Sequence, residues 1–390
     1  MAGQEFDLVV VGTGPGGYVA AIRGAQLGMS VAVIERENLG GICLNWGCIP
    51  TKALLRSAEV YHLAKTSKEF GFKIKDIEID IDAIVKRSRR VAKQLNSGVG
   101  LLLKKNKVDV LNGHGRLLGE GRIGVEVDGT QVMEVSAKYI ILAAGARARD
   151  LPTMEADGKQ IWNYRHALVA DVIPKRLLVV GSGAIGIEFA SFFNTLGSEV
   201  TVVELLDRVL PVEDEEISAM AHKAFEKQGM HILTDVQVKA LKKTKDSVTA
   251  AIKTADGKAE SIVVDRVIMA VGIIGNVEDL GLENTKVKVD RSHVEVDQWQ
   301  ATGEPGVFAI GDLAGPPWLA HKASHEGVIC VEKIAEVKGI HPLEPMNIPG
   351  CTYCLPQVAS VGLTEAAAKV AGHEVRVGRF PFIGNGKAIA

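Results

Sequence analysis

One supersecondary unit occurs twice in this chain, and that duplication constrains the fold more than any other feature. The first copy runs FDLVVV (6–11), GTGPGG, YVAAIRGAQLG and SVAVIE, closing on Glu35. The second runs KRLLVV (175–180), GSGAIG (181–186), IEFASFFNTLG and SEVTVVE, closing on Glu204. From Gly12 to Glu35 is 23 residues, and from Gly181 to Glu204 is again 23. Both helical stretches end on Leu-Gly, at Leu27–Gly28 and Leu196–Gly197. A continuous apolar, β-branched run suits a buried parallel strand. Each copy therefore reads as strand, glycine turn, helix, strand and acid.

The spacing has a physical use. In a Rossmann turn the first glycine permits the tight bend, the second lets the backbone approach a pyrophosphate, and the third lets helix and strand pack closely. The helix start offers N–H donors and a positive dipole end to the phosphates. The acid after the second strand accepts from ribose hydroxyls. Gly12, Gly14, Gly17 and Glu35 fill these roles in one copy, and Gly181, Gly183, Gly186 and Glu204 in the other. One such fingerprint alone is weak; two in full context with matched spacing are strong. The expected fold class is α/β, with two Rossmann-like dinucleotide-binding domains. Two dinucleotides in one chain suggest electron transfer between a flavin and a nicotinamide. Glu204 would repel a 2′-phosphate and so favours NAD over NADP, although Arg208 stands four residues on.

The chain has 390 residues, 47% of them hydrophobic, which suits two or three domains. A net charge of −2 gives no electrostatic reason to expect nucleic acid or a membrane surface as partner. The opening MAGQEFDLVVVG carries acids where a signal peptide is basic, and no apolar run reaches a membrane span. The expectation is a soluble protein of the cytoplasm, or of the mitochondrial matrix in a eukaryote. Five cysteines make no secreted scaffold, and a disulfide in a reducing compartment is more often catalytic than structural.

Two of those cysteines, Cys43 and Cys48, lie in GGICLNWGCIPTK. Pro50 suits the first turn of a helix, which would put Cys48 at a helix N-terminus, where the dipole favours thiolate. The pair could close a small disulfide. A zinc site would need further ligands, and no Cys or His cluster is nearby, so no metal is expected. Two unpaired buried thiols stay open as the bland alternative; a redox-active disulfide beside a flavin accounts for the pair best. Residues 53–100 read as largely helical, and the basic run KRSRRVAKQL reads as a solvated helix face. Cys351 and Cys354 form a CxxC in CTYCLPQVAS that looks like a second redox motif, and Cys330, in an apolar helix, reads as core.

GTGPGGYVAAIRGAQLG, CLNWGCIPTKALL, GSGAIGIEFA and FAIGDLAGPPWLAHKASHEG together resemble the pyridine nucleotide–disulfide oxidoreductases, over essentially the whole chain. The look is closest to the members that oxidise dihydrolipoamide carried on a lipoyl domain of a 2-oxoacid dehydrogenase complex core. The resemblance implies FAD and NAD as cofactors and a homodimer in the full-length protein. It implies that Cys43 is the interchange thiol and Cys48 the thiol nearer the flavin. Lys52 would approach the flavin, with Glu188 as its ion-pair partner. Glu35, Gly115 in a GHG turn, and Ala144–Gly145 would line the FAD site. Gly311 and Asp312 would hold the ribityl chain, with Leu319, Ala320 and His321 beside the ring. Gly272 is expected among the cofactor-binding residues. His321 and Glu326 suggest a catalytic pair, but the LAHKA segment packs by the flavin in this family, so that role is not assigned. Cys351 and Cys354 fall where the family has an ordinary strand, which implies that they are structural. The implied domains are 1–148 (FAD, first part), 149–273 (NAD), 274–345 (FAD and central, second part) and 346–390 (start of a dimerisation domain).

Three departures stand out. AVGIIGN replaces an arginine–proline segment, and AAGARAR replaces an ATG-containing one. The family's C-terminal His–Glu motif lies beyond Ala390, so the expectation is a fragment or shortened form that binds FAD but turns over dithiols poorly. The alternatives are another disulfide or metal-ion reductase of the family, or a non-catalytic FAD-binding fragment. Glu204 argues against an NADPH-preferring glutathione-type reductase.

Overall fold

A computed structural model describes residues 4–390. Strand β1 (Gln4–Val11) leads over the first glycine loop into helix α1 (Pro15–Gln26). Strand β2 (Val31–Glu35) follows, then helices α2 (Gly41–Trp46), α3 (Cys48–Lys65) and α4 (Ile81–Lys105). The helical expectation for 53–100 is interrupted, because residues 72–80 form neither helix nor strand. Asp80 ends that stretch by accepting from the Ala83 N–H at 2.9 Å, capping α4. A helix needs such a partner for its first free N–H groups.

Strands β3 (Asp109–Asn112), β4 (His114–Gly119), β5 (Arg122–Val127) and β6 (Thr130–Leu142) complete the first sheet, in the order β3-β2-β1-β6-β5-β4. β3, β2, β1 and the later part of β6 run parallel, while β4, β5 and the start of β6 form an antiparallel meander. The GHG at 113–115 is not a turn as expected. His114 and Gly115 already belong to β4, and a Cβ on Gly115 would lie 3.0 Å from Val11 Cγ1 and 3.2 Å from Ile34 Cδ1. Gly115 is small because β4 packs against the ends of β1 and β2.

The chain leaves through β7 (Ala146–Ala148) into a second unit. There, β8 (Ile161–Trp162), α5 (Tyr164–Ala167), β9 (Arg176–Val180), α6 (Ala184–Thr195), β10 (Glu199–Val203), α7 (Glu215–Lys227) and β11 (His231–Leu233) follow in turn. A separate antiparallel sheet holds β12 (Gln237–Lys243), β13 (Val248–Lys253) and β14 (Ala259–Val264). β15 (Arg266–Met269) returns to give a parallel sheet ordered β11-β10-β9-β15-β8. β16 (Ile273–Gly275) then pairs antiparallel with β7, so the outgoing and returning chains run side by side. The AVGIIGN segment is this returning strand.

β17 (Val289–Asp290) and β18 (His293–Val294) form a small ribbon, and β19 (Val307–Ala309) rejoins the first sheet, parallel to β6. Helix α8 (Ala320–Ile334) packs on α1 so closely that a Cβ on Gly327 would lie 2.7 Å from Gly16 O. The last part holds β20 (Gly350–Thr352), β21 (Val358–Ser360) and α9 (Glu365–Val370). Its Cys354 and Val358 join the core around Phe189, Phe192 and Phe193 of α6, while Val370, Phe382 and Ile383 are exposed. Among the described residues no helix is long and apolar enough to cross a membrane.

Candidate active site

The two glycine loops share one set of contacts. A Cβ on Gly17 would lie 2.0 Å from Gly12 O, and one on Gly186 would lie 2.0 Å from Gly181 O. On Gly12 it would meet Ala143 O at 2.4 Å, and on Gly181 it would meet Ala270 O at 2.3 Å. These four glycines let loop, helix and neighbouring strand end close on one another. The middle glycines differ: Cβ atoms on Gly14 and Gly183 would meet nothing within 4 Å among the described residues. Their faces are open to a ligand. α1 and α6 start at these glycines with no side-chain cap and no acid in the first turn. Such free N–H groups and the aligned dipole make an anion site.

The two acids are held alike. Glu35 Oε2 accepts from the Thr13 N–H at 3.0 Å and its hydroxyl at 2.6 Å, and Oε1 accepts from the Glu37 N–H at 2.9 Å. Glu204 Oε2 accepts from the Ser182 N–H and hydroxyl, both at 2.7 Å, and Oε1 from the Leu206 N–H at 2.9 Å. Each carboxylate is oriented by its own loop and retains acceptor capacity for ribose hydroxyls. Arg208 is beside Asp207 at 3.1 Å and Glu215 at 3.8 Å, so acids already surround it.

The strands β1, β6 and β19 are parallel, and their carboxyl ends carry Gly12, the Ala143–Gly145 segment and the Gly311–Asp312 turn. Ligands of open α/β sheets bind at such ends. Asn276 steadies the middle segment, its Nδ2 donating to Ala144 O at 2.8 Å and its N–H to Gly145 O at 3.0 Å. Gly145 itself has a left-handed φ of 68°. Gly272 follows β15 in the second sheet, two residues past the Ala270 carbonyl that abuts Gly181.

The Gly311–Asp312 turn is braced by a buried pair that the sequence did not announce. Lys322 Nζ donates to Gly311 O at 3.2 Å and Gly315 O at 2.7 Å, and it lies 3.0 Å from Glu326 Oε1. Glu326 Oε2 accepts from the Gly311 N–H at 2.7 Å. So Glu326 pairs with Lys322, and His321 instead sets its Nε2 2.9 Å from Pro349 O. Leu319 precedes α8 while Ala320 and His321 begin it, next to the same turn. Burial pushes the Asp312 carboxyl up to about 6, with Lys322 pulling it down and Glu326 pushing it up. That acid accepts no hydrogen bond from the described residues.

Cys43 and Cys48 are joined as a disulfide, with Cα atoms 4.7 Å apart. Cys43 lies within α2, a short helix separate from the α3 that Pro50 announces. α2 starts from left-handed Gly40 (φ 86°) and Gly41 (φ 58°), and a Cβ on Gly41 would lie 2.8 Å from Gly14 Cα. The disulfide's segment is thus seated on the first glycine loop. Cys48 opens α3, whose start has no side-chain cap. One turn on, Lys52 Nζ lies 2.8 Å from both oxygens of Glu188, a residue of α6. Glu188 Oε1 also accepts from the Tyr353 N–H at 2.9 Å, and Lys52 sits 4.8 Å from the Tyr353 ring centre.

The basic run of α4 is more than a solvated face. Arg87 donates to Ala53 O at 2.9 Å, and Arg89 donates to Asn45 O and covers the Trp46 ring at 4.3 Å. Nothing in KRSRRVAKQL distinguishes these two arginines from their neighbours; the helix register does.

A duplicated nucleotide-binding turn, with a disulfide seated on its first copy, defines a disulfide oxidoreductase of the two-dinucleotide class. Comparison with known proteins agrees. The family described as "Pyridine nucleotide-disulphide oxidoreductase" matches residues 6–327, and its dimerisation domain matches 348–390. The chain belongs to this family. It is 53% identical to a dihydrolipoyl dehydrogenase of Rhizobium etli, across 99% of this chain and 84% of that protein. It is 54% identical to one of Zymomonas mobilis, across 99% and 83%. Among solved structures, LpdA from Mycobacterium tuberculosis superimposes with a TM-score of 0.91 at 27% identity, covering 99% of this chain and 84% of that one.

Proposed function

We propose that the chain is a dihydrolipoyl dehydrogenase, oxidising dihydrolipoamide on a lipoyl domain of a 2-oxoacid dehydrogenase complex and reducing NAD+. The observation that carries this reading is the seating of the Cys43–Cys48 segment on the first glycine loop. The residues fit the two cofactors: both helix starts are uncapped, Gly14 and Gly183 have open faces, and Asp312 lacks an internal donor. FAD would be held by Gly12, Gly14, Gly17, Glu35, Ala144, Gly145 and Asp312, with Leu319, Ala320 and His321 beside them. NAD would be held by Gly181, Gly183, Gly186, Glu204 and Gly272. The packing of Gly115 against Val11 and Ile34 gives it an indirect part, keeping β4 close to those strand ends.

In the dithiol half-reaction a substrate thiolate attacks Cys43 Sγ, the Cys43–Cys48 bond breaks, and Cys48 leaves as thiolate. The uncapped start of α3 favours that charge, and Lys52, fixed by Glu188, adds a cation one turn away. The second substrate thiol then attacks the mixed disulfide, and oxidised lipoamide departs from Cys43. FAD and NAD+, when bound, supply the carrier and the final acceptor for the two electrons released as the protein disulfide re-forms. The family's dimerisation domain at 348–390 supports a homodimer, and a thiol-based cycle suits a reducing compartment such as the cytoplasm or mitochondrial matrix.

The test is anaerobic NADH reduction of the FAD-loaded chain, followed by acid quench, alkylation and mass spectrometry. Cys43 and Cys48 should both become alkylated after NADH and neither before, and Cys48→Ser should end NADH-dependent labelling. Bleaching of the flavin with no new labelling at either cysteine would refute the reading.

A further inference from the structure

Glu37 carries a side chain that dinucleotide binding does not need. Its backbone N–H serves Glu35 as the Leu206 N–H serves Glu204, each at 2.9 Å, so the two positions are equivalent in the repeat. Leu206 turns its side chain to solvent, 51% exposed. The Glu37 carboxylate instead accepts from Trp46 Nε1 at 2.9 Å and from both Arg165 terminal nitrogens at 2.7 and 2.8 Å. Trp46 stands between Cys43 and Cys48. Its ring is flanked by two guanidiniums, Arg89 at 4.3 Å and Arg165 at 5.0 Å from the ring centre. Arg165 belongs to α5 of the second unit, whose start is fixed by a capping box of Asn163 and His166. Arg89 also donates to Asn45 O, and Asn45 Nδ2 donates to Leu39 O at 2.9 Å and Gly41 O at 2.8 Å.

We infer that Trp46 is a positioning residue for the Cys43–Cys48 pair, gripped by Glu37, Arg89 and Arg165 so that the second unit holds the disulfide's segment in register. This deepens the proposed function, since it concerns the same redox pair. The physical reason is effective concentration: a stiff segment keeps each thiol facing the other, whereas a loose one lets them part on reduction. The two guanidiniums on its aromatic face hold Trp46 at the edge of the core around Phe189, Phe192 and Phe193, against which it also packs. Loosening the grip should therefore favour the dithiol.

The experiment equilibrates the FAD-loaded protein with dithiothreitol redox buffers, in which protein disulfide and reduced dithiothreitol exchange for protein dithiol and cyclic oxidised dithiothreitol. Acid quench and alkylation count Cys43 and Cys48. Trp46→Ala should move this equilibrium toward dithiol by about fivefold or more, while Trp46→Phe, which keeps an aromatic face, should stay within about twofold. Glu37→Ala should shift it in the same direction by less. A folded Trp46→Ala protein with wild-type flavin content and wild-type equilibrium would overturn the inference. Should that variant not fold, a wild-type equilibrium in Glu37→Ala overturns it instead. Dithiothreitol needs no nicotinamide, so a disulfide that NADH never reaches, which sinks the proposed function, leaves this measurement intact.

Discussion

Lys52 and Glu188 are 136 residues apart in sequence, yet Lys52 Nζ lies 2.8 Å from each carboxylate oxygen of Glu188. The contact joins the helix that follows the disulfide to the helix of the second nucleotide unit. The Glu188 side chain is 6% exposed, so Lys52→Met would leave a buried carboxylate with the Tyr353 N–H as its remaining partner. The loss should be about 1–3 kcal/mol, less than for a fully buried pair because Lys52 itself is partly solvated. Urea unfolding of Lys52→Met, Glu188→Gln and the double variant measures it; additive losses would mean the fork contributes nothing.

Lys322 and Glu326 are both buried, and together they fasten the Gly311–Gly315 turn through its carbonyls and an N–H. Lys322→Met should cost about 3–5 kcal/mol, because it leaves an uncompensated buried carboxylate. Replacing both residues by methionine should recover part of that stability. Flavin retention on gel filtration should remain poor in both variants, since the turn bearing Asp312 loses its brace.

Asp312 gives a pH dependence with a definite sign. Its carboxyl is raised from 3.8 to about 6 by burial. Between those values the folded flavin-free chain holds a proton that the unfolded chain has released, so this residue's contribution to stability falls as pH rises through the window and is flat above it. Asp312→Asn should therefore be more stable than wild type above pH 6, by at most about 3 kcal/mol, with the difference vanishing near pH 4. Urea midpoints of the flavin-free proteins at several pH values test this.

The glycine contacts predict opposite outcomes within one loop. Gly17→Ala forces a Cβ to 2.0 Å from Gly12 O, and backbone cannot yield cheaply, so a loss of about 3 kcal/mol or more is expected. Gly14 has φ −59° and open space, so Gly14→Ala should fold within about 1 kcal/mol of wild type while losing flavin. Melting temperature and the ratio of flavin to protein absorbance separate the two effects.

The free cysteines should differ in reactivity. Cys330 and Cys354 are buried, and burial pushes the Cys330 thiol up and that of Cys354 up to about 12. Cys351 is partly accessible. Iodoacetamide at pH 8 on the oxidised folded protein should modify Cys351 alone, because thiolate is the reactive form. Mass spectrometry reads this directly, and labelling of Cys354 at a similar rate would contradict its burial.

Much of this protein was legible in its sequence because the informative signals are local. Strand, loop, helix and acid follow one another within 23 residues, and each step is dictated by side-chain period or by the absence of a Cβ. The same holds for Pro50 and the start of α3. The GHG segment misled because glycine serves a close strand crossing as well as a turn, and only the position of β4 against Val11 and Ile34 distinguishes them. Arg87 and Arg89 looked like their solvated neighbours because a basic run carries no record of which residues face inward.

The sequence by itself determined the duplicated α/β units, their glycines and acids, and the cysteine pair, since each is a short-range pattern with a steric or electrostatic cause. The tertiary structure decided which distant groups meet: Lys322 with Glu326 and the Gly311–Gly315 turn, and Trp46 with Glu37, Arg89 and Arg165. Those meetings depend on how β19 returns to the first sheet and how the second unit lies against α2 and α4. Burial and long-range charge pairing are properties of that packing, and no window of the chain contains them.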